Sequence, residues 1–198
     1  SSKSKSLFYK HAINFLNRRG INETDIKKYK LGFCDNGVYQ NRIIIPSYDE
    51  NGLLNYFVGR SFMGDGMKYK NPNVSRDIIP FDWFIAWSYP IVLCEGVFDA
   101  ISIRTNAIPM LSKKPSKSLL RKVFEKKVKT IYIALDDDAK KDAYRLSEFF
   151  KDFGIDTKVV NLPKDKDPND LGYNKITDLI GKTISSSFSD MIQAKLYG

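Results

Sequence analysis

At 198 residues, with 32 Lys+Arg against 23 Asp+Glu and a formal charge of +9, the chain has room for one domain or two small ones, and 42% apolar with 13% aromatic residues excludes global disorder. No apolar run approaches the roughly 18 residues that cross a bilayer and no secretion signal opens the chain, so a soluble, cytoplasmic protein with no membrane partner is expected. Two cysteines, Cys34 and Cys94, are too few for a zinc cage of about four Cys/His ligands or for a disulfide scaffold, and the basic balance favours a polyanion, nucleic acid or nucleotide.

Ser1 to Ser6 holds only Ser and Lys and reads as a disordered lead. From Leu7 to Arg19, Leu7, Phe8, Ala12, Phe15 and Leu16 recur at helical spacing before Gly20, which predicts a short amphipathic helix with a glycine C-cap. Asn22 or Thr24 caps a second short helix to Tyr29. The period then changes. Arg42 to Tyr48 and Leu53 to Val58 are β-branched and aromatic runs on either side of Asp49-Glu-Asn-Gly52, which predicts an antiparallel hairpin. Lys68-Tyr-Lys-Asn-Pro72 reads as a basic loop.

From Tyr89 onward strands alternate with helices. Strands are expected at Pro90–Cys94, Ala107–Leu111, Thr130–Leu135 and Thr157–Leu162, with helices at Val97–Thr105, Ser116–Lys127 and Ala139–Phe153. This alternation implies right-handed crossovers and a parallel sheet with helices on its faces. The expected fold is therefore α/β, a parallel sheet with flanking helices preceded by a small α+β subdomain with an antiparallel hairpin. Its parts are residues 7–88, 89–174 and a helical tail 175–198 with a weak Ser185-Ser-Ser187 stretch.

Three of the parallel strands end in acids. Ile91-Val-Leu-Cys94 runs into Glu95-Gly96 with Asp99 four residues after Glu95, Thr130 to Leu135 into Asp136-Asp-Asp138, and Thr157 to Leu162 into Asp165, Asp167 and Asp170. In an open α/β sheet these ends form the ligand-binding edge. Asp136 and Asp138, two apart on an extended segment, are expected to point to one side. Carboxylates about 4 Å apart repel by roughly 4 kcal/mol at an effective dielectric near 20, so something positive must offset them. An all-oxygen set favours magnesium or manganese. Glu95 is left open as metal ligand or general base. The plainer alternative is that acids after strands are only helix caps and solvated loops.

Cys94-Glu-Gly-Val-Phe-Asp-Ala-Ile-Ser102 resembles the EGxxDAxS signature of TOPRIM domains, and Leu135-Asp-Asp-Asp138 resembles their DxD. Arg42-Ile-Ile-Ile-Pro-Ser-Tyr-Asp-Glu-Asn-Gly52, Val58-Gly-Arg60 and Lys68-Tyr-Lys-Asn-Pro72 are similar, in order and spacing, to elements of bacterial, DnaG-like DNA primases. Asn17-Arg-Arg-Gly20 resembles the R-G that opens their polymerase core, and Asp165-Lys-Asp-Pro-Asn-Asp170 their D-P-D. The resemblance covers about residues 7 to 180. It implies template-directed RNA primer synthesis on single-stranded DNA from ribonucleoside triphosphates. Mg2+ or Mn2+ would be held by Glu95, Asp136 and Asp138, with Asp99 as a supporting catalytic acid and Asp167 as a supporting ligand. Arg42, Arg60 and Lys68 would contact phosphates, joined on the basic loop by Tyr69 as a stacking residue and by Lys70 and Asn71.

The sequence also departs from the family. Ala139-Lys-Lys141 replaces the usual Ala-Gly, Asn169 stands at the last acid of D-P-D as a weaker ligand, and Ser112-Lys-Lys-Pro-Ser116 replaces a Gly-Thr-Ala-Leu-Thr loop. These differences suggest a divergent, phage-encoded member acting in the host cytoplasm. No zinc-ribbon spacing and no G-x-x-x-x-G-K-[ST] is present, so a zinc-binding module and a replicative helicase are expected partners supplied elsewhere.

Strand-end placement is expected to bring Arg42 and Arg60 together facing the acids. Lys113, Lys114, Lys117, Arg121, Lys122, Lys126, Lys127 and Lys129 cannot share one helix face and read as a mostly solvated surface. Phe81, Trp83, Phe84, Trp87 and Tyr89 are expected to pack between the subdomains. Two other readings stay open: a TOPRIM nuclease using the same acids, and a non-catalytic nucleic-acid-binding subunit with a decayed site.

Overall fold

The computed structural model describes residues 7–64 and 66–183. Helix α1 (Leu7–Arg18) buries Ala12 and Leu16 on one face, and Gly20, at φ +70°, lets the chain leave it. Helix α2 (Glu23–Lys28) starts from Asn22, whose side chain accepts the Asp25 N–H at 3.0 Å while the Asp25 carboxylate accepts the Asn22 N–H at 3.1 Å. That reciprocal cap satisfies two N–H groups the helix leaves open. An antiparallel sheet follows in the order β1 (Gly32–Cys34), β2 (Arg42–Tyr48), β3 (Leu54–Ser61), β4 (Tyr69–Lys70). The hairpin turn is closed by Asp49, whose Oδ1 accepts the N–H groups of Asn51 and Leu53.

The basic loop is in part a strand. Tyr69 and Lys70 pair with Arg60 and Gly59, and a Cβ on Gly59 would run into the Lys70 carbonyl. A two-residue strand carries no period of its own; pairing with an existing edge creates it. β1 was invisible in the sequence for the same reason.

The second sheet is parallel, in the order β6 (Ala107–Pro109), β5 (Ile91–Cys94), β7 (Thr130–Ala134), β8 (Asp156–Val159). Its helices are α3 (Val97–Ile103), α4 (Lys117–Glu125) and α5 (Lys140–Asp152). Alternation divides the core. Ile91, Leu93, Ile131 and Ile133 join one cluster with α4 and α5 residues such as Leu119, Val123 and Phe150. Val92, Cys94 and Ala134 join another with α3 residues and with Leu16, Ile43, Ile45 and Val58 of the N-terminal part. One apolar cluster therefore spans both halves and sets the antiparallel sheet against the parallel one.

Helix α6 (Pro168–Lys182) begins earlier than Lys175. Asp167 caps it by accepting the Asp170 N–H, Pro168 sits at its first turn, and Gly172 (φ +70°) breaks it inside. The rest of the expected tail, with Ser185-Ser-Ser187, lies outside the described residues. Among the described residues no helix is long and apolar enough to cross a membrane. The expected aromatic interface forms in part. Phe81 and Phe84 pack on Tyr29 with centroids at 5.1 and 5.0 Å, and the Trp87 indole N–H donates to Asp82 at 2.9 Å. Trp83 and Tyr89 remain exposed; Trp83 lies over the turn at Gly52.

Candidate catalytic site at the carboxyl edge of the parallel sheet

Strands β5 and β7 are neighbours, yet the chain leaves β5 toward β6 on one side and β7 toward β8 on the other. Such a switch point opens a crevice at the strand ends, and the first residue past β5 and the second past β7 supply Glu95 and Asp136. Both line a cavity of about 430 Å³ together with Asp99, Asp167, Arg19, Arg60, Lys68, Tyr69, Asn71 and Arg76.

The EGxxD spacing has a local cause. Asp99, at the third position of α3, reaches back to accept the Gly96 N–H at 2.8 Å, and a Cβ on residue 96 would crowd that carboxylate. The turn so held leads straight into Glu95. Asp99 also accepts the Asn169 N–H at 3.3 Å. Burial, then the charges of Asp167 and Asp136, push its carboxyl up to about 7, against the two backbone donors. Burial, then Glu95, Asp167 and Asp138, push Asp136 up to about 6. Glu95 is raised as well, chiefly by burial, with Lys113 opposing and Asp138 and Asp142 adding. These acids crowd each other at a partly buried edge, with Asp99 the deepest of them.

Asn169 is an interior pin. Its amide donates to the Arg19 carbonyl at 2.9 Å and to Ser102 Oγ at 2.7 Å and accepts from Arg19 Nη1 at 2.7 Å. That use of both ends of the amide replaces the expected weak ligand. Arg19, so held over the Phe98 ring at 4.7 Å, borders the acids.

Asp136 and Asp138 do not form the expected extended pair. Asp136 precedes a 3₁₀ turn, Asp137–Ala139, which separates the three carboxylates. Asp136 faces the cavity, Asp137 pairs with Lys140, and Asp138, its side chain 74% exposed, pairs with Lys113 at 2.9 Å.

The cations divide too. Arg60 lies opposite Ile43 and Tyr69, while Arg42 lies opposite Ser61. A one-residue offset in a pleated sheet sends the two arginines to opposite faces. Arg60, Tyr69, Lys68 and Asn71 reach the cavity, whereas Arg42 is buried on the other face and Lys70 sits over Tyr39 at 5.6 Å. Arg76 joins the wall from an irregular loop whose sequence carried no signal for it; Arg19 was marked only by the R-R-G resemblance. Lys122, expected at a solvated surface, is buried in an ion cluster with Glu50 and Asp82.

A hard cation fits the donor set. Glu95 Oε2 and Asp136 Oδ1 are buried without a hydrogen-bond partner, and so are Arg60 Nε and Nη1 and Asn71 Oδ1. No imidazole lines the cavity, and Cys94 is fully buried with its thiol pushed up by burial. Among the described residues no three acidic, His or Cys side chains lie placed to hold a metal ion between them. Magnesium commonly draws only one or two carboxylates from a protein and completes its shell with water and phosphate.

A family model described as Toprim-like matches residues 92–172. Protein MG010 of Mycoplasma genitalium, described as uncharacterized, is 31% identical over 86% of this chain and 82% of its own length. A DNA primase of Clostridium acetobutylicum is 22% identical over 82% of this chain, which spans only 30% of that primase. Among solved structures, the DnaG primase catalytic domain bound to single-stranded DNA superposes with a TM-score of 0.77 at 16% identity, covering 91% of this chain and 74% of that one. At that identity the likeness is one of fold.

Proposed function

Because this chain belongs to the DnaG-like primase family and carries its Toprim-like domain, we propose that it is a primase catalytic core that makes short RNA primers on single-stranded DNA. In this reading residues 7–88 are the α+β part, 89–174 the Toprim part and 175–198 the tail. One observation carries it. Glu95, Asp136 and Arg60 line a single cavity, and each keeps a buried charged-group atom without a partner, carboxylate oxygens on the first two and guanidinium nitrogens on the third. Buried polar groups are normally satisfied. A nucleoside triphosphate with a divalent cation brings both complements at once.

Glu95, Asp136, Asp138 and Asp167 would hold Mg2+ or Mn2+. The chemistry such an ion supplies is charge withdrawal from the α-phosphoryl group and a lower pKa for the attacking hydroxyl. The remaining work falls to the chain itself. Asp99 fixes the Gly96 turn and with it the direction of Glu95. Arg60 and Lys68 bind phosphates of nucleotide or template, and the Tyr69 ring, 4.7 Å from the Arg60 guanidinium, limits the directions its fork can take. Asn71 offers an amide to the same wall, while Lys70 would serve template on the outer face and Arg42, buried there, would act only behind that surface. The terminal 3′-hydroxyl of the primer attacks the α-phosphorus of the incoming ribonucleotide, and pyrophosphate leaves. Start-site choice and coupling to unwinding are assigned to a zinc-binding module and a replicative helicase as cytoplasmic partners.

The test is synthesis on unprimed single-stranded DNA with labelled ribonucleotides and Mg2+ or Mn2+. The chain should make oligoribonucleotides, and Glu95→Gln or Asp136→Asn should lower the rate by about a hundredfold or more with an unchanged circular dichroism spectrum. Variants as fast as the parent would overturn the mechanism. Labelled DNA degraded without nucleotides would make the protein a nuclease, and salt-sensitive binding with no synthesis would make it a binding subunit.

A further inference from the structure

The loop that follows β6 stands where the sequence leaves the family pattern, and it is anchored at both ends. Leu111, at φ +58°, donates its N–H to the Glu95 carbonyl at 2.9 Å. The Ser112 hydroxyl closes a turn with the Lys114 carbonyl at 2.6 Å. Ser116 caps α4 by accepting the Leu119 N–H at 3.0 Å and donates to the Ile78 carbonyl at 2.8 Å. Between these anchors Lys113 extends to Asp138, its ammonium 2.9 Å from Oδ2. The same ammonium acts on Glu95 and Asp136, and Asp142 acts on it in turn. A lysine held by a backbone tie to Glu95 thus places a positive charge among the acids, and Asp138 is engaged at the flank of the cavity.

Resting on the reading that these acids hold a divalent ion, we propose that Lys113 is a built-in counter-cation that competes with that ion for Asp138 and sets how tightly the site binds it. An ammonium and a divalent cation cannot both take the same carboxylate oxygen at close range, and like charges repel at short distance. Removing the ammonium frees Asp138 and lowers the repulsion at once. Both partners are well exposed, at 42% and 74%, so water and salt screen the effect to a modest size. Lys113 is a positioning residue here; it acts on the metal through Asp138.

Mn2+ titration of the full chain, followed by calorimetry and by the electron paramagnetic resonance of free Mn2+, tests this directly. Lys113→Gln should bind Mn2+ about fivefold more tightly than the parent at low salt, and the gap should narrow at high salt. Lys113→Arg, which keeps the charge, should stay within about twofold. Equal or weaker binding by Lys113→Gln, with the dichroism spectrum intact, overturns the proposal. If the parent binds Mn2+, Glu95→Gln loses it and Lys113→Gln matches the parent, only the role of Lys113 fails. If neither the parent nor Lys113→Gln binds Mn2+, the metal-site reading fails with it.

Discussion

Two clusters of buried charge in this protein are built on opposite principles. At the joint between hairpin and parallel sheet, Lys122 Nζ lies 3.1 Å from Asp82 Oδ2 and 2.8 Å from Glu50 Oε2, and the Trp87 indole takes the other Asp82 oxygen. Lys122 and Asp82, both buried, each have a partner from the chain, and Glu50 reaches in from the surface. At the carboxyl edge of the sheet, Glu95 and Asp136 keep buried oxygens with no partner among the described residues. An unpaired charge costs folding free energy in proportion to its burial, and these two side chains are half buried. The closed cluster therefore belongs to the fold, whereas the open one opposes it until a ligand arrives.

The largest effect on stability should come from opening the closed cluster. Lys122→Met leaves Asp82 buried against an apolar side chain, and breaking such a pair costs about 3 kcal/mol. Urea unfolding should show this as a lower midpoint at an unchanged slope. Adding Asp82→Asn to the same chain should recover much of the loss, since the stranded charge goes with it. A midpoint that hardly moves in the single variant would remove the contrast between the two clusters.

The open cluster should respond with the opposite sign. Asp136 is raised to about 6 and Asp99 to about 7 from an ordinary 3.8. Between about pH 4 and those values the folded chain binds more protons than the unfolded one, so stability falls as pH rises. The contribution of these two acids is complete below about pH 4 and is lost as pH passes 6 to 7. In metal-free buffer the chain should therefore melt at a higher temperature near pH 5 than near pH 8. Asp136→Asn should flatten part of that slope and stabilise the metal-free protein at pH 8 by about 1 kcal/mol, a figure reduced for solvent screening of a half-exposed group. A flat profile from pH 5 to 8 would mean that the crowded acids carry no strain.

How much of this was readable in the sequence depends on the range of the interaction. Glu95 and Asp136 were legible because an apolar run ending in an acid is local, and the alternation of runs places it at a strand end. The hairpin and the order of parallel elements were legible for the same reason. The face of Arg42 was not, since it depends on a one-residue offset between β2 and β3 that neither strand encodes alone. Asp138 was misplaced because a 3₁₀ turn replaced the extended geometry assumed for it. Asn169 and Lys122 looked like a weak ligand and a surface charge; their partners Arg19 and Asp82 lie 150 and 40 positions away, beyond any local pattern.

The smallest effect distinguishes two uses of Tyr69 at the edge of the open cluster. Its ring pairs across the sheet with Arg60, lies 4.7 Å from that guanidinium and is still 38% exposed. If the ring serves only to hold Arg60, Tyr69→Ala forfeits a cation–π contact of about 0.5–1 kcal/mol, and affinity for single-stranded DNA drops about threefold. No charge is lost, so the dependence of binding on salt should keep its slope, whereas Arg60→Ala should lower that slope by about one. Tyr69→Phe should bind like the parent. A base stacked on the exposed part of the ring adds roughly 1–3 kcal/mol, so a tenfold or larger loss in Tyr69→Ala at constant salt slope would assign the ring to the template. Fluorescence anisotropy across a salt series separates the outcomes, because stacking changes the intercept of that line and phosphate contact its slope.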